Sequence, residues 1–138
     1  MSRRAALGAV AGACALAAAG CGAEAPDLFL LTRSGSIPDA RLRLRVTDDG
    51  QASCNGRPLV EITSAQLIAA REVQRDATKL AKRGARLPPQ RGSVLSYTLR
   101  TQDGSVRFSD DSLHQPPVLF RAAALARSIA QGACRLPR

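Results

Sequence analysis

The chain has one histidine, one methionine, one tyrosine, three phenylalanines and no tryptophan in its 138 residues. Each scarcity removes a class of function. The lone His114 cannot furnish a histidine-rich metal site, and a catalytic triad would have to be built on that one residue. Four aromatic rings without tryptophan give nucleic-acid bases little to stack on. No Gly-x-Gly-x-x-Gly, phosphate-loop or Gly-x-Ser-x-Gly pattern occurs, so nucleotide-binding and nucleophile-elbow signatures are missing. No Cys-x-x-Cys spacing occurs either, which removes the common redox motif. No uncharged apolar run reaches the ~20 residues that span a bilayer comfortably. These absences predict a non-enzymatic protein with no catalytic residues, no cofactor and no metal ion.

What the chain does have is positive charge. Twenty basic residues, 18 of them arginine, stand against 11 acidic ones, a formal +9. A basic balance favours anionic surroundings such as phospholipid head groups, wall polymers or nucleic acid.

The N-terminus narrows that choice. Arg3 and Arg4 precede an uncharged small-residue run from Ala5 to Gly20, the arrangement of a basic n-region followed by the h-region of an export signal. Ala18, Ala19 and Gly20 then lead into Cys21. This resembles a bacterial lipobox of the actinobacterial lipoprotein type, whose cysteine is acylated and becomes the first residue after cleavage. Ala18 stands where such motifs usually have leucine, and an ordinary secretory signal is the alternative. The expectation is a lipoprotein signal peptide over 1–20, a tether over 21–27 and one domain over 28–136. The protein would lie outside the cytoplasm, lipid-anchored to the cell membrane or else secreted, which takes it away from nucleic acid.

Removal of the leader leaves 18 basic against 11 acidic residues, a formal +7, and takes Cys14 with it. With Cys21 acylated, Cys54 and Cys134 are left as a pair, and in an oxidising compartment the simplest fate of a leftover pair in a small domain is a disulfide.

Periodicity supplies the elements. Leu28–Arg33 is an apolar run that ends at Ser34 and Gly35, a strand followed by a turn. "ARLRLRV" alternates, with Leu42, Leu44 and Val46 on one face and Arg41, Arg43 and Arg45 on the other. Asp49 and Gly50 turn the chain into a short strand that carries Cys54. Thr63 with Gln66 predicts a capping box, and Gly84 a helix end, around the stripe Leu67, Ala70, Val73, Ala77, Leu80 and Ala81. "ARLPPQRGS" reads as a linker. A second hairpin turns at Asp103 and Gly104, and after Pro116 and Pro117 a second helix carries Val118, Ala122, Leu125, Ile129 and Ala133. "DDSLH" brings Asp110, Asp111 and His114 close together, in a stretch that reads as the loop between hairpin and helix.

"TDDG" at 47–50 and "TQDG" at 101–104 suggest a ββα-ββα pseudo-repeat. The predicted fold is α+β, an antiparallel sheet of four to five strands with two helices packed on one face. Arg41, Arg43, Arg45 and Arg100 would then share the uncovered face. They are the candidate contact with an anionic envelope component or a protein partner.

The element order, "RSG" at 33–35, Tyr97 and the run "DGSVRFSD" at 103–110 resemble the emfourin-type proteins, small bacterial inhibitors of thermolysin-like metallopeptidases. The resemblance covers Leu28 to about Gly132 and implies that fold. It also implies an extracellular peptidase as an alternative partner, whose cleft would meet either the loop Ser34 to Asp39, with Ser34, Gly35 and Ser36 as its inhibitory residues, or the second hairpin turn. The leader, the Cys54 and Cys134 pair and the Pro-Pro segment depart from that pattern.

Overall fold

The structure, a computed structural model, describes residues 27–137, so the expected leader, Cys21 and the tether through Pro26 lie outside the described residues. Eight elements follow one another: β1 (Asp27–Gly35), β2 (Leu42–Thr47), β3 (Gln51–Cys54), β4 (Val60–Glu61), α1 (Ser64–Lys82), β5 (Leu95–Thr101), β6 (Gly104–Ser109) and α2 (Pro117–Gln131). All strand pairs are antiparallel and form one sheet in the order β4-β3-β2-β1-β5-β6. The α+β class and the two helices agree with the sequence reading. The sheet has one strand more than expected because the two-residue β4 closes its edge beside β3.

The hydrophobic effect decides which face the helices cover. Phe29 and Leu31 of β1, Leu42, Leu44 and Val46 of β2, Leu99 of β5 and Val106 and Phe108 of β6 are all buried on one side of the sheet. Against them pack Ala70, Val73 and Ala77 of α1 and Leu119, Ala122 and Ile129 of α2. Small alanines on the helix stripes leave room for the larger strand residues. Tyr97 and Phe108, opposed in the β5–β6 register, stack with ring centroids 4.9 Å apart.

Local signals hold both helices in place. Gln66 donates its backbone N–H to the Thr63 hydroxyl, and Thr63 returns its own N–H to the Gln66 side chain, completing the capping box. Gly84, with φ +59°, stands just past the C-cap of α1. Pro116 caps α2 and Pro117 opens it, where the missing N–H costs nothing. Ala133 falls beyond the end of α2, half-buried in the tail that follows.

The two hairpin-and-helix units are both present, with β1 between their hairpins in the sheet. The segment 85–87, read as linker, runs along the β6 edge: Leu87 donates to the Arg107 carbonyl and Arg107 to that of Ala85. That covers the middle of an otherwise open edge, at Arg107. Cys54 and Cys134 form a disulfide with 6.1 Å between their Cα atoms. It ties the end of β3 to the tail after α2.

Candidate functional site

The alternation that buries Leu42, Leu44 and Val46 forces Arg43 and Arg45 to the other face, which no helix of the described residues covers. Strand register then lays out that face row by row. Ser53, Arg45, Leu30, Arg100 and Ser105 lie opposite one another on β3, β2, β1, β5 and β6. In the next row come Arg43, Thr32, Thr98 and Arg107. With strands about 4.8 Å apart, Arg45 and Arg100 sit roughly 10 Å apart across Leu30, and Arg43 and Arg107 about 14 Å apart. The result is a band of four guanidinium groups on a floor of Leu30 and two threonines.

Arg43, Arg100 and Arg107 are exposed, and none of them makes an ion pair among the described residues. Arg45 is half-buried and donates from Nε to Asp27 at 2.7 Å. On one side the loop after β3 raises Arg57 beside Arg43, Arg45 and Leu30, around a shallow depression.

Two of these cations, Arg57 and Arg107, escaped the sequence reading. Arg107 was within reach of it, since Arg100 opposite Ser105 in a hairpin puts Arg107 on the same face. Arg57 sits in a loop and had no periodicity to betray it. Arg41, in contrast, precedes the first residue of β2. It lines a cavity at the end of the sheet with Arg33 and Arg127.

Ser34 and Gly35 do not form a free turn. Both belong to β1 and pair with Ser96 and Leu95 of β5. Glycine is required at 35 because a Cβ there would meet the Val94 carbonyl oxygen at 2.1 Å. Ser36 donates its N–H to the same carbonyl. The projecting part of the β1–β2 connection is therefore 37–39, with Ile37 45% exposed.

The "DDSLH" stretch is mainly an anchor for loops. Asp110 accepts from the Ser93 hydroxyl at 3.0 Å and from the Val94 and Leu95 amides. Burial pushes its carboxyl up, but those hydrogen bonds outweigh burial and hold it below the usual carboxylate range. Asp111 accepts from Ser109 and from the Gln90 amide, whereas His114 is exposed at φ +53°. No cluster of metal-ligating residues occurs among the described residues.

No protein-family model, curated protein or solved structure matches the chain.

Proposed function

We propose that the chain is a lipid-anchored, extracytoplasmic, non-enzymatic binding protein of the bacterial cell envelope, held to the membrane through acylated Cys21. Its helix-free sheet face adheres to an anionic component of that envelope. The observation that carries this reading is the segregation of Arg43, Arg45, Arg100 and Arg107 on one face of the sheet, three of them without an ion pair among the described residues. Acyl chains supply the permanent hold, and a basic surface adds electrostatic attraction of ~1 kcal/mol per cation close to an anionic membrane.

The experiment uses the chain from Ala23 onward, without the leader and Cys21, so that only the folded surface reports. Sedimentation with phosphatidylglycerol vesicles at low salt should retain the protein, and phosphatidylcholine vesicles should not. Replacing Arg43, Arg100 and Arg107 together by Gln should weaken adhesion on the order of a hundredfold. Unchanged adhesion would remove the sheet face from the reading. Intact mass of the unmutated protein tests the anchor: a diacylglycerol adduct on Cys21 is expected, and an unmodified N-terminus further along the chain would point to plain secretion.

A second reading, inhibition of a thermolysin-like metallopeptidase, draws on exposed Ile37 at the tip of the β1–β2 connection. An apolar side chain on a projecting loop suits the apolar specificity pocket of such enzymes. Titration against thermolysin separates the two readings, because activity that persists at micromolar protein rules out inhibition.

A further inference from the structure

A cavity of about 360 Å³ opens at the end of the sheet, away from the two tight turns. Three parts of the chain that are distant in sequence build it: the 37–41 connection, the last turn of α2 with Arg127 and Ala130, and the tail with Leu136. Each wall is fastened. Arg33 donates from Nε to the Ala40 carbonyl at 2.8 Å and from Nη2 to that of Asp39 at 3.1 Å, which pins the connection over the strands. Asp39 itself holds φ +56°, a conformation that non-glycine residues rarely adopt. On the other side Cys134 and Leu136 donate their amides to Ile129 and Ala130, and the disulfide fixes the tail to β3.

The lining divides by chemistry. Leu95, Ala130 and Leu136 are apolar, while Arg33, Arg41 and Arg127 bring three positive charges against the single negative charge of Asp39. Arg41 and Arg127 make no ion pair among the described residues, and Arg33 spends its bonds on backbone carbonyls, which leave its charge uncancelled. A planar guanidinium offers two parallel N–H donors that match the two oxygens of a carboxylate. The volume is within the range of small-molecule sites and too small for a polymer.

We propose that this cavity binds a small amphipathic carboxylate, its head group held by Arg41 and Arg127 and its apolar body resting on Leu95, Ala130 and Leu136. The site is separate from the arginine band, since Arg43, Arg45, Arg100 and Arg107 do not line it. Success or failure here therefore leaves the adhesion reading untouched.

The chain carries its own reporter. Tyr97 is the only tyrosine, there is no tryptophan, and the phenol feels the charges of both Arg33 and Arg127. Titrating the full chain with decanoate, below its micelle threshold, should quench or shift this emission saturably. Calorimetry should give one site per chain. Decanol, without the charge, and acetate, without the apolar body, should each bind at least tenfold more weakly.

The Arg41→Gln/Arg127→Gln double variant should lose at least tenfold in decanoate affinity, whereas Arg100→Gln should bind as the unmodified protein does. Circular dichroism checks the fold of the double variant, and Leu136→Glu, which puts a negative charge into the floor, is the second route to the same loss. Decanol binding as tightly as decanoate, no saturable decanoate binding, or full affinity in both variants would each overturn the proposal. Tighter binding of decyl phosphate would overturn the carboxylate assignment.

Discussion

At the end of the sheet that carries the two tight turns, acid meets base: Asp27 pairs with Arg45, Asp48 with Arg71 at 2.8 Å, and Asp103 with Lys82 at 4.0 Å while accepting from the Thr78 hydroxyl. At the other end Arg33 bonds to backbone carbonyls, and Arg41 and Arg127 make no ion pair among the described residues. The difference does not come from composition, since arginine dominates both ends. It comes from what the acids meet: Asp27, Asp48 and Asp103 lie beside cations, whereas at the loop end Asp39 makes no ion pair among the described residues and Asp110 and Asp111 are taken up by amide and hydroxyl donors. The turn end is held by paired charge and by α1 lying against it. The loop end needs other fastenings.

The disulfide is the largest of these. It closes a loop of 80 residues, for which the chain-entropy model gives about 4–5 kcal/mol, so Cys54→Ser/Cys134→Ser should lower the stability of the domain by that order in urea denaturation. The same variant sharpens the comparison of the two ends. Hydrogen exchange should speed up at the amides of Cys134 and Leu136 well before those of the hairpin turns. Uniform acceleration would mean that the two ends unfold as one and that the contrast is only one of charge.

At the turn end the strongest single dependence is on Gly104. Its φ of +140° excludes other residues, and a Cβ would meet the Ala81 carbonyl oxygen of α1 at 2.3 Å. Gly104→Ala should therefore cost about 3 kcal/mol or more, read from the thermal midpoint. At the loop end Gly56 is the control: its φ is +75° but nothing lies within 4 Å, so Gly56→Ala should cost only ~1–2 kcal/mol. Equal costs would show that backbone conformation alone matters and that α1 does not press on the turn.

Asp110 fastens the loop end from the β6 side. Removing its three partners' acceptor by Asp110→Ala should cost about 2 kcal/mol at neutral pH. Because its folded-state value is depressed, the stability it gives is fully present above its ordinary value of 3.8. That contribution is lost as pH falls through the lower folded value. The two proteins should thus differ most at pH 7, and the gap should start to narrow near pH 3.8 and go on closing as pH falls through the lower folded value. A gap that stays constant with pH would assign the effect to packing instead of charge.

These fastenings differ in how far the sequence discloses them. Thr63 with Gln66, the leucines of β2 and the stripe of α1 are local patterns, and a pattern with period two or 3.6 carries its own geometry. β4 has two residues and no period to detect. The arginine face was legible through Arg43, Arg45 and Arg100, because alternation assigns faces without knowledge of the fold. The cavity was not, since Arg33, Leu95, Arg127 and Leu136 meet only once the sheet, α2 and the disulfide are in place. Arg41 illustrates the boundary: it continues the alternation in sequence, but β2 begins one residue later, and it lines the end cavity instead.

The smallest effects test the contrast most directly. Arg71→Gln at the turn end removes two hydrogen bonds to Asp48, one to the carboxylate and one to the backbone carbonyl, yet the pair is about half exposed. Solvent screens such a pair, so the loss should be no more than ~1 kcal/mol and should shrink in high salt. Arg41→Gln and Arg127→Gln give up no such partner and also relieve repulsion from Arg33. They should shift the urea midpoint by less than the equivalent of ~0.5 kcal/mol, in either direction, and added salt should not lower stability further. If Arg41→Gln or Arg127→Gln proved as costly as Arg71→Gln, those guanidinium groups would be holding the fold together, and their charge would not be free to receive a ligand. A cation that costs the fold nothing to lose is one whose charge is available to something outside it.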